Sequence, residues 1–206
     1  MSADVHVLRA SDHELAKRAA AGDRDAQRAV FHAHRQRVHV ILYRILGSNH
    51  EMDDLIQDAF IEVFRSLPSY RGDAQLGTWI DRITTRVAWR HLEGRGARTV
   101  RLELVREQES SPDTSPERRV MAREAARRLY AILDRIEPDH RVAYTLHVID
   151  GRPLKDVASA MGASLVATKV RVFRARRMVE KRARLDPLLS DLVSVSDDED
   201  PSGGSP

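Results

Sequence analysis

Residues 154–177 read LKDVASAMGASLVATKVRVFRARR. Pro153 opens a short helix whose apolar residues are Leu154, Val157, Ala158 and Met161. Gly162 is the residue that can take the left-handed conformation that ends a helix, and Ser164 can cap the next one. Ala158 is small enough for two steeply crossed helices to approach, so the spacing predicts a helix-turn-helix. On its second helix Leu165, Thr168, Val172, Ala175 and Val179 share the inward face. Lys169, Arg171 and Arg174 then point outward, and Arg176, Arg177, Lys181 and Arg182 extend the charge. A cationic helix held proud of its partner fits a DNA major groove. A helical hairpin with a solvated basic face is the plainer account. Val166, Val170 and Phe173 form a second apolar stripe, open to three readings: thymine methyls, a neighbouring helix, or a protein partner.

Composition narrows the setting. The 206 residues include no cysteine, so there is no disulfide framework and no thiolate metal site, and a reducing compartment is expected. No apolar run approaches the roughly 20 residues that span a bilayer. The first residues, MSADVHVLRASDHE, lack the apolar core of a secretory signal. A cytoplasmic location without membrane insertion is therefore expected. The formal net charge is only +3, but the last 21 residues hold six acids and no Lys or Arg, which leaves +9 on residues 1–185. A basic body with an acidic tail suits a polyanionic partner.

Outward from the opening stretch, helical periodicity recurs along the chain. Ser11 and Glu14 form a capping-box pattern ahead of a helix reaching Gly22. Further helices are predicted from Asp23 to Gly47, over 51–66 and over 78–93, with Ser69 to Gly77 as a loop. Helix resumes over 117–136, and again over 141–149. Between the two halves, a stretch punctuated by Pro112 and Pro116 reads as a tether. No strand pattern and no repeat is found. The expected fold is all-α: a helical domain over 11–95, a flexible linker over 96–115, a second helical domain over 116–185, and a disordered acidic tail over 186–206.

Candidate binding chemistry falls in both domains. Asp53, Asp54 and Asp58 line one side of an otherwise apolar helix. They suit either the helix dipole or a basic protein partner. Downstream, Tyr70, Trp79 and Trp89 interleave with Arg71, Arg82, Arg86, Arg90, Arg95 and Arg98. Aromatics among arginines suit unpaired bases, where stacking is worth roughly 1–3 kcal/mol per base. The plainer account is that the tryptophans belong to the core. His32, His34 and His39 lack metal-ligand spacing. No nucleophile–base set and no phosphate-cradling glycine loop is found, so no enzyme and no cofactor is expected.

The blocks DDLIQDAFIEVFRSLPSYRGDAQLGTWIDRI (53–83) and RLYAILDRIEPDHRVAYTLHVIDGRPLKDVASAMGASLVATKVRVFRARR (128–177) resemble domains 2 and 4 of bacterial RNA polymerase sigma factors. The nearest class is the small extracytoplasmic-function type, which has only those two domains, and the resemblance spans about residues 11–184. It implies a sigma factor that binds core RNA polymerase and directs initiation at promoter DNA. Domain 2 would grip the polymerase clamp, melt the −10 element and capture a flipped base. Domain 4 would bind the −35 element and the polymerase flap. Carried over, Asp53, Asp54, Leu55, Gln57 and Asp58 match the clamp-binding motif. Arg71, Gly72, Thr78, Trp79 and Arg82 match the −10 loop and helix, to which the interleaved Tyr70, Arg86 and Arg90 are added. Lys169, Arg171 and Arg174 match the −35 helix, with Ser164 and Arg176 beside them. The family also implies an anti-sigma protein as a further partner.

The chain departs from the family pattern at several positions. Arg86 and Arg90 replace a common Asn and Asp, Val166 and Ala167 replace Gly-Thr, and Pro153 replaces a serine cap. These bear on base preference, not on polymerase docking. The alternative is a stand-alone helix-turn-helix regulator, which needs neither the acidic helix nor the interleaved aromatics. A helical adaptor without a nucleic-acid role is a third reading.

Overall fold

The computed structural model describes residues 12–95 and 115–190, and among them every regular element is helical. Ser11, the tether from 96 to 114 and the tail beyond 190 lie outside the described residues. Helix α1 covers 12–20. Helix α2, Arg24–Leu46, starts at Asp23, whose carboxylate accepts from the Asp25 and Ala26 amides at 2.9 and 3.1 Å, satisfying orphan donors of the first turn. It ends at Gly47, whose φ of 72° lies in the left-handed region. Helix α3 covers Met52–Ser66, and Pro68 follows in a single tight turn at Leu67–Ser69. Helix α4 covers Leu76–Arg95. It therefore begins ahead of Thr78, where loop composition had masked Leu76, a fully buried residue whose amide faces Asp12.

Helices α2, α3 and α4 pack on one another. Val30, Ile41, Leu42 and Ile45 from α2 meet Val63 from α3 and Ile80 and Ile83 from α4 in a closed core. Each such side chain contributes roughly 1.5–3 kcal/mol through burial.

The second domain comprises α5 (Pro116–Leu133), α6 (Pro138–Tyr144), a wide helical turn at Thr145–Ile149, α7 (Leu154–Met161) and α8 (Leu165–Ala183). Ser115 caps α5, and Pro116 and Pro138 sit where a missing amide costs nothing. Helix α8 packs against α5, α6 and α7. The helix-turn-helix forms as the spacing requires. Gly162 has φ 62°, and the Ser164 hydroxyl accepts from the Ala167 amide at 3.1 Å. Thr168, Val172, Ala175 and Val179 are buried, whereas Leu165, in the first turn, is 44% exposed.

The two domains dock. Val142, Leu146, Val157 and Ala160 join the core of the first domain, and α4 packs against both α6 and α7. The sequence marks these residues as apolar and cannot say which domain they cover, so a tethered pair was the natural expectation. Arg141 completes the joint. Its buried guanidinium donates to the Ile45 and Leu46 carbonyls at 2.9 and 2.7 Å and also pairs with Asp134. Those carbonyls end α2 and have no helical partner of their own. The Tyr130 phenol, pushed up to about 12 by burial, stays protonated and donates to the Arg44 carbonyl at 2.7 Å.

Charge closes the seam. Arg37 grips Asp81 at 2.6 and 2.8 Å, and Arg152 reaches the same carboxylate at 3.2 Å. Arg152 and Arg44 both pair with Asp150. The two carboxylates are nearly buried and each meets two guanidiniums, which offsets their desolvation.

Candidate nucleic-acid interface

Three surfaces carry the chemistry singled out in the sequence. The first is the outer face of α3. Asp53, Asp54, Gln57 and Asp58 are exposed there. Leu55 points the other way into the core. Asp53 lies 3.6 Å from Arg35 of α2 but stays almost wholly in water, so this ion pair adds little. Helical spacing puts Ile56, Phe60 and Phe64 on one apolar face, but sequence reasoning did not single out Phe31 and Ile61 beside them. Phe31, Ile56, Phe60, Ile61 and Phe64 line a shallow groove between α2 and α3, with Arg35, Asp53 and Gln57 at its rim. The Phe31 and Phe60 rings are 4.7 Å apart, and Ile61 is 46% exposed. Ile61 stands out as an apolar residue on the hydrophilic side of an amphipathic helix, and that was its only signal.

The second surface joins the turn before α4 to α4 itself. Tyr70 is buried, donates to the Ala74 carbonyl at 2.6 Å, and lies 5.3 Å from the Trp79 ring. It therefore braces Trp79, which is half-buried against the core. Gly72 has φ 78°, a left-handed backbone that favours glycine, and a Cβ there would sit a tight 3.1 Å from the His13 ring. Arg71 and Thr78 are exposed. At about 100° per residue, Thr78, Arg82, Arg86, Trp89 and Arg90 share one side of α4. Arg86 and Arg90 are exposed, while Arg82 and Trp89 are half-buried. Arg82 Nε and Trp89 Nε1 are buried and have no hydrogen-bond partner among the described residues.

The third surface is α8. Lys169, Arg174 and Arg176 are exposed. Arg171 is not: it pairs with Asp139 of α6 at 2.6 Å and is three-quarters buried. Ser164 serves as the cap of α8. Arg171, Ala167 and Ser164 line a cleft whose opposite wall is Thr85, Arg86 and Trp89 of α4, with Asp139, Met161 and Gly162 beside them. The start of α8 and the cationic side of α4 thus face each other across this cleft. His140 lies near Arg174 and Arg171, and burial together with those charges holds its imidazole below the usual range.

Among the described residues no His, Asp or Glu cluster suited to a metal ion occurs, and no helix is long and apolar enough to cross a membrane.

Comparison with known proteins matches stretches of both domains to described families. The family model for Sigma-70 region 2 matches residues 30–98, and that for Sigma-70, region 4 matches residues 126–179. The chain is 27% identical over 187 residues to the ECF RNA polymerase sigma-E factor of Haemophilus influenzae, covering 87% of this chain and 97% of that one. The fold is similar to that of CnrH bound to the cytosolic domain of CnrY, with TM-score 0.58, 23% identity, and 85% and 98% of the two chains covered. It is also similar to RpoE of Bartonella quintana in complex with the anti-sigma factor NepR, with TM-score 0.54, 16% identity, and 77% and 97% covered.

Proposed function

We infer from one premise, that this chain belongs to the sigma-70 family in its extracytoplasmic-function class, what its surfaces do. It binds core RNA polymerase and directs promoter-specific initiation of transcription. The observation that carries this reading is the order of two matched regions, 30–98 and 126–179, the first with an acidic helix face beside a cationic one and the second with a cationic helix. A stand-alone regulator needs only the second.

The division of labour over the chain is our proposal. The face of α3 with Asp53, Asp54, Gln57 and Asp58 docks on the polymerase, with Ile61 and Phe64 supplying apolar area at its centre. Leu55 holds that helix from inside. Arg71, Thr78, Trp79, Arg82, Arg86 and Arg90 meet the −10 element, and Tyr70 and Gly72 shape the turn that presents them. A flipped base loses its stacking neighbours, and an aromatic face such as Trp79 restores part of that energy. Lys169, Arg174 and Arg176 approach the phosphates of the −35 element, and Ser164 and Arg171 fix the helix that carries them. An anti-sigma protein that covers these surfaces is a further partner. The chain works without catalysis of its own, in the cytoplasm, where the polymerase is.

The test is reconstitution. Purified chain and core polymerase are incubated with genomic DNA, and transcript starts are mapped. New starts sharing two upstream elements are expected only when both components are present. Starts without this chain, or no complex with core on a sizing column, would overturn the reading.

A further inference from the structure

The outward side of α8 has an order that the sequence left open. Val166, Val170 and Phe173 are 72%, 42% and 60% exposed. At about 100° per residue they fall within roughly 60° of one another. Arg177 continues the line, its guanidinium 5.9 Å from the Phe173 ring centroid. Lys169 and Arg176 lie on one flank of this stripe, and Arg174 and Lys181 on the other; all four are exposed.

An exposed apolar stripe by itself suits a protein partner. Cations on both flanks argue for a different occupant. A helix in the major groove fills a channel about 12 Å wide, with its centre toward base edges and its flanks toward the two phosphate chains. The flanks of α8 match that demand. Over its first two turns the centre has no donor or acceptor with which to read bases by hydrogen bonds, since Val and Phe side chains have neither; Arg177, the one donor in line, lies a turn further on against Phe173. The apolar feature that the major groove does offer is the C5-methyl group of thymine. The remaining cation near the helix start, Arg171, is already engaged by Asp139.

We propose that Val166, Val170 and Phe173 read the −35 element through thymine methyl groups, while the flanking cations hold the phosphates. This deepens the assignment of α8 to the −35 element and rests on it. Specificity then comes from the fit of methyl groups against exposed side chains, and it is graded rather than absolute, because each contact is worth only one buried methyl.

Deoxyuridine, which differs from thymidine in the base only by lacking that methyl, tests the idea. Holoenzyme made from the full chain and core polymerase is used to select binders from promoters randomised upstream of a mapped start. Thymines of the selected −35 element are then replaced one at a time by deoxyuridine. We expect the element to contain thymines whose replacement lowers holoenzyme affinity about 3–5-fold, the size of one buried methyl. The loss should disappear with the Val166→Ser, Val170→Ser double variant. Both positions are exposed, so the variant's melting curve should match the parent's. An element selected without thymine, or deoxyuridine tolerated at every position, overturns methyl reading while leaving the sigma-factor assignment intact. Retained discrimination by the double variant, with loss of a co-purifying protein instead, also overturns it and marks the stripe as a protein-docking face. No selection of any element and no mapped starts would mean that the underlying assignment itself had failed.

Discussion

Helices α3 and α4 are neighbours in one domain, yet they face different surroundings. The acidic, partly apolar face of α3 opens to solvent. The cationic side of α4 looks across a cleft at the helix-turn-helix. The surface proposed for polymerase is ready as it stands. The surface proposed for the −10 element is largely open as well, but Arg86 at its edge lines the cleft shared with the second domain. The difference teaches which proposed surface depends on the docking of the domains: the α3 face stands clear of the seam, whereas the α4 side borders it.

The strongest way to break this contrast is at Arg141. Its guanidinium is buried among two carbonyls and Asp134. Arg141→Leu leaves those acceptors without a partner, so a loss of about 3 kcal/mol in denaturant titration is expected, together with a larger radius in X-ray scattering. An unchanged radius would show that the cleft is held shut by something else. Gly47→Ala should act next. The left-handed backbone costs about 1–2 kcal/mol, and the added carbon would overlap the Tyr130 ring at 2.2 Å. The domains should separate, which Trp89 fluorescence can follow, while secondary structure stays as it was.

The α3 side is probed by Ile61→Glu. Core-polymerase affinity should fall about tenfold, equivalent to about 1.4 kcal/mol, with no change in scattering radius. A change in both would tie the two faces together and collapse the comparison. The smallest effect is expected from Ser164→Ala. Removing the cap of α8 should cost about 1 kcal/mol and weaken promoter binding without touching polymerase affinity.

Much of the fold was legible in the sequence because helices announce themselves locally. Gly47, Gly162 and Pro68 stop or turn elements through their own backbone chemistry and Ser164 starts one through its hydroxyl, and each does so in the structure. Docking was not legible. Val142 and Val157 read as apolar whichever domain they cover, and Arg141 reads as one more surface cation in an arginine-rich chain. The same limit applied to the site. Aromatics interleaved with arginines marked the region around α4, but that pattern could not show that Tyr70 turns inward to brace Trp79. Nor could it show that Asp139, thirty-two residues earlier in the chain, engages Arg171.

That last pair has a consequence for how exacting the chain is as a DNA reader. With its guanidinium held by Asp139, Arg171 ties α8 to α6 and, on the proposed reading of α8, is kept from grasping any phosphate within reach. An Asp139→Asn chain would release one more roaming cation at the groove, and its hold on arbitrary duplex would tighten and grow steeper against salt. On that reading, the acid beside the helix would act as a restraint on indiscriminate grip.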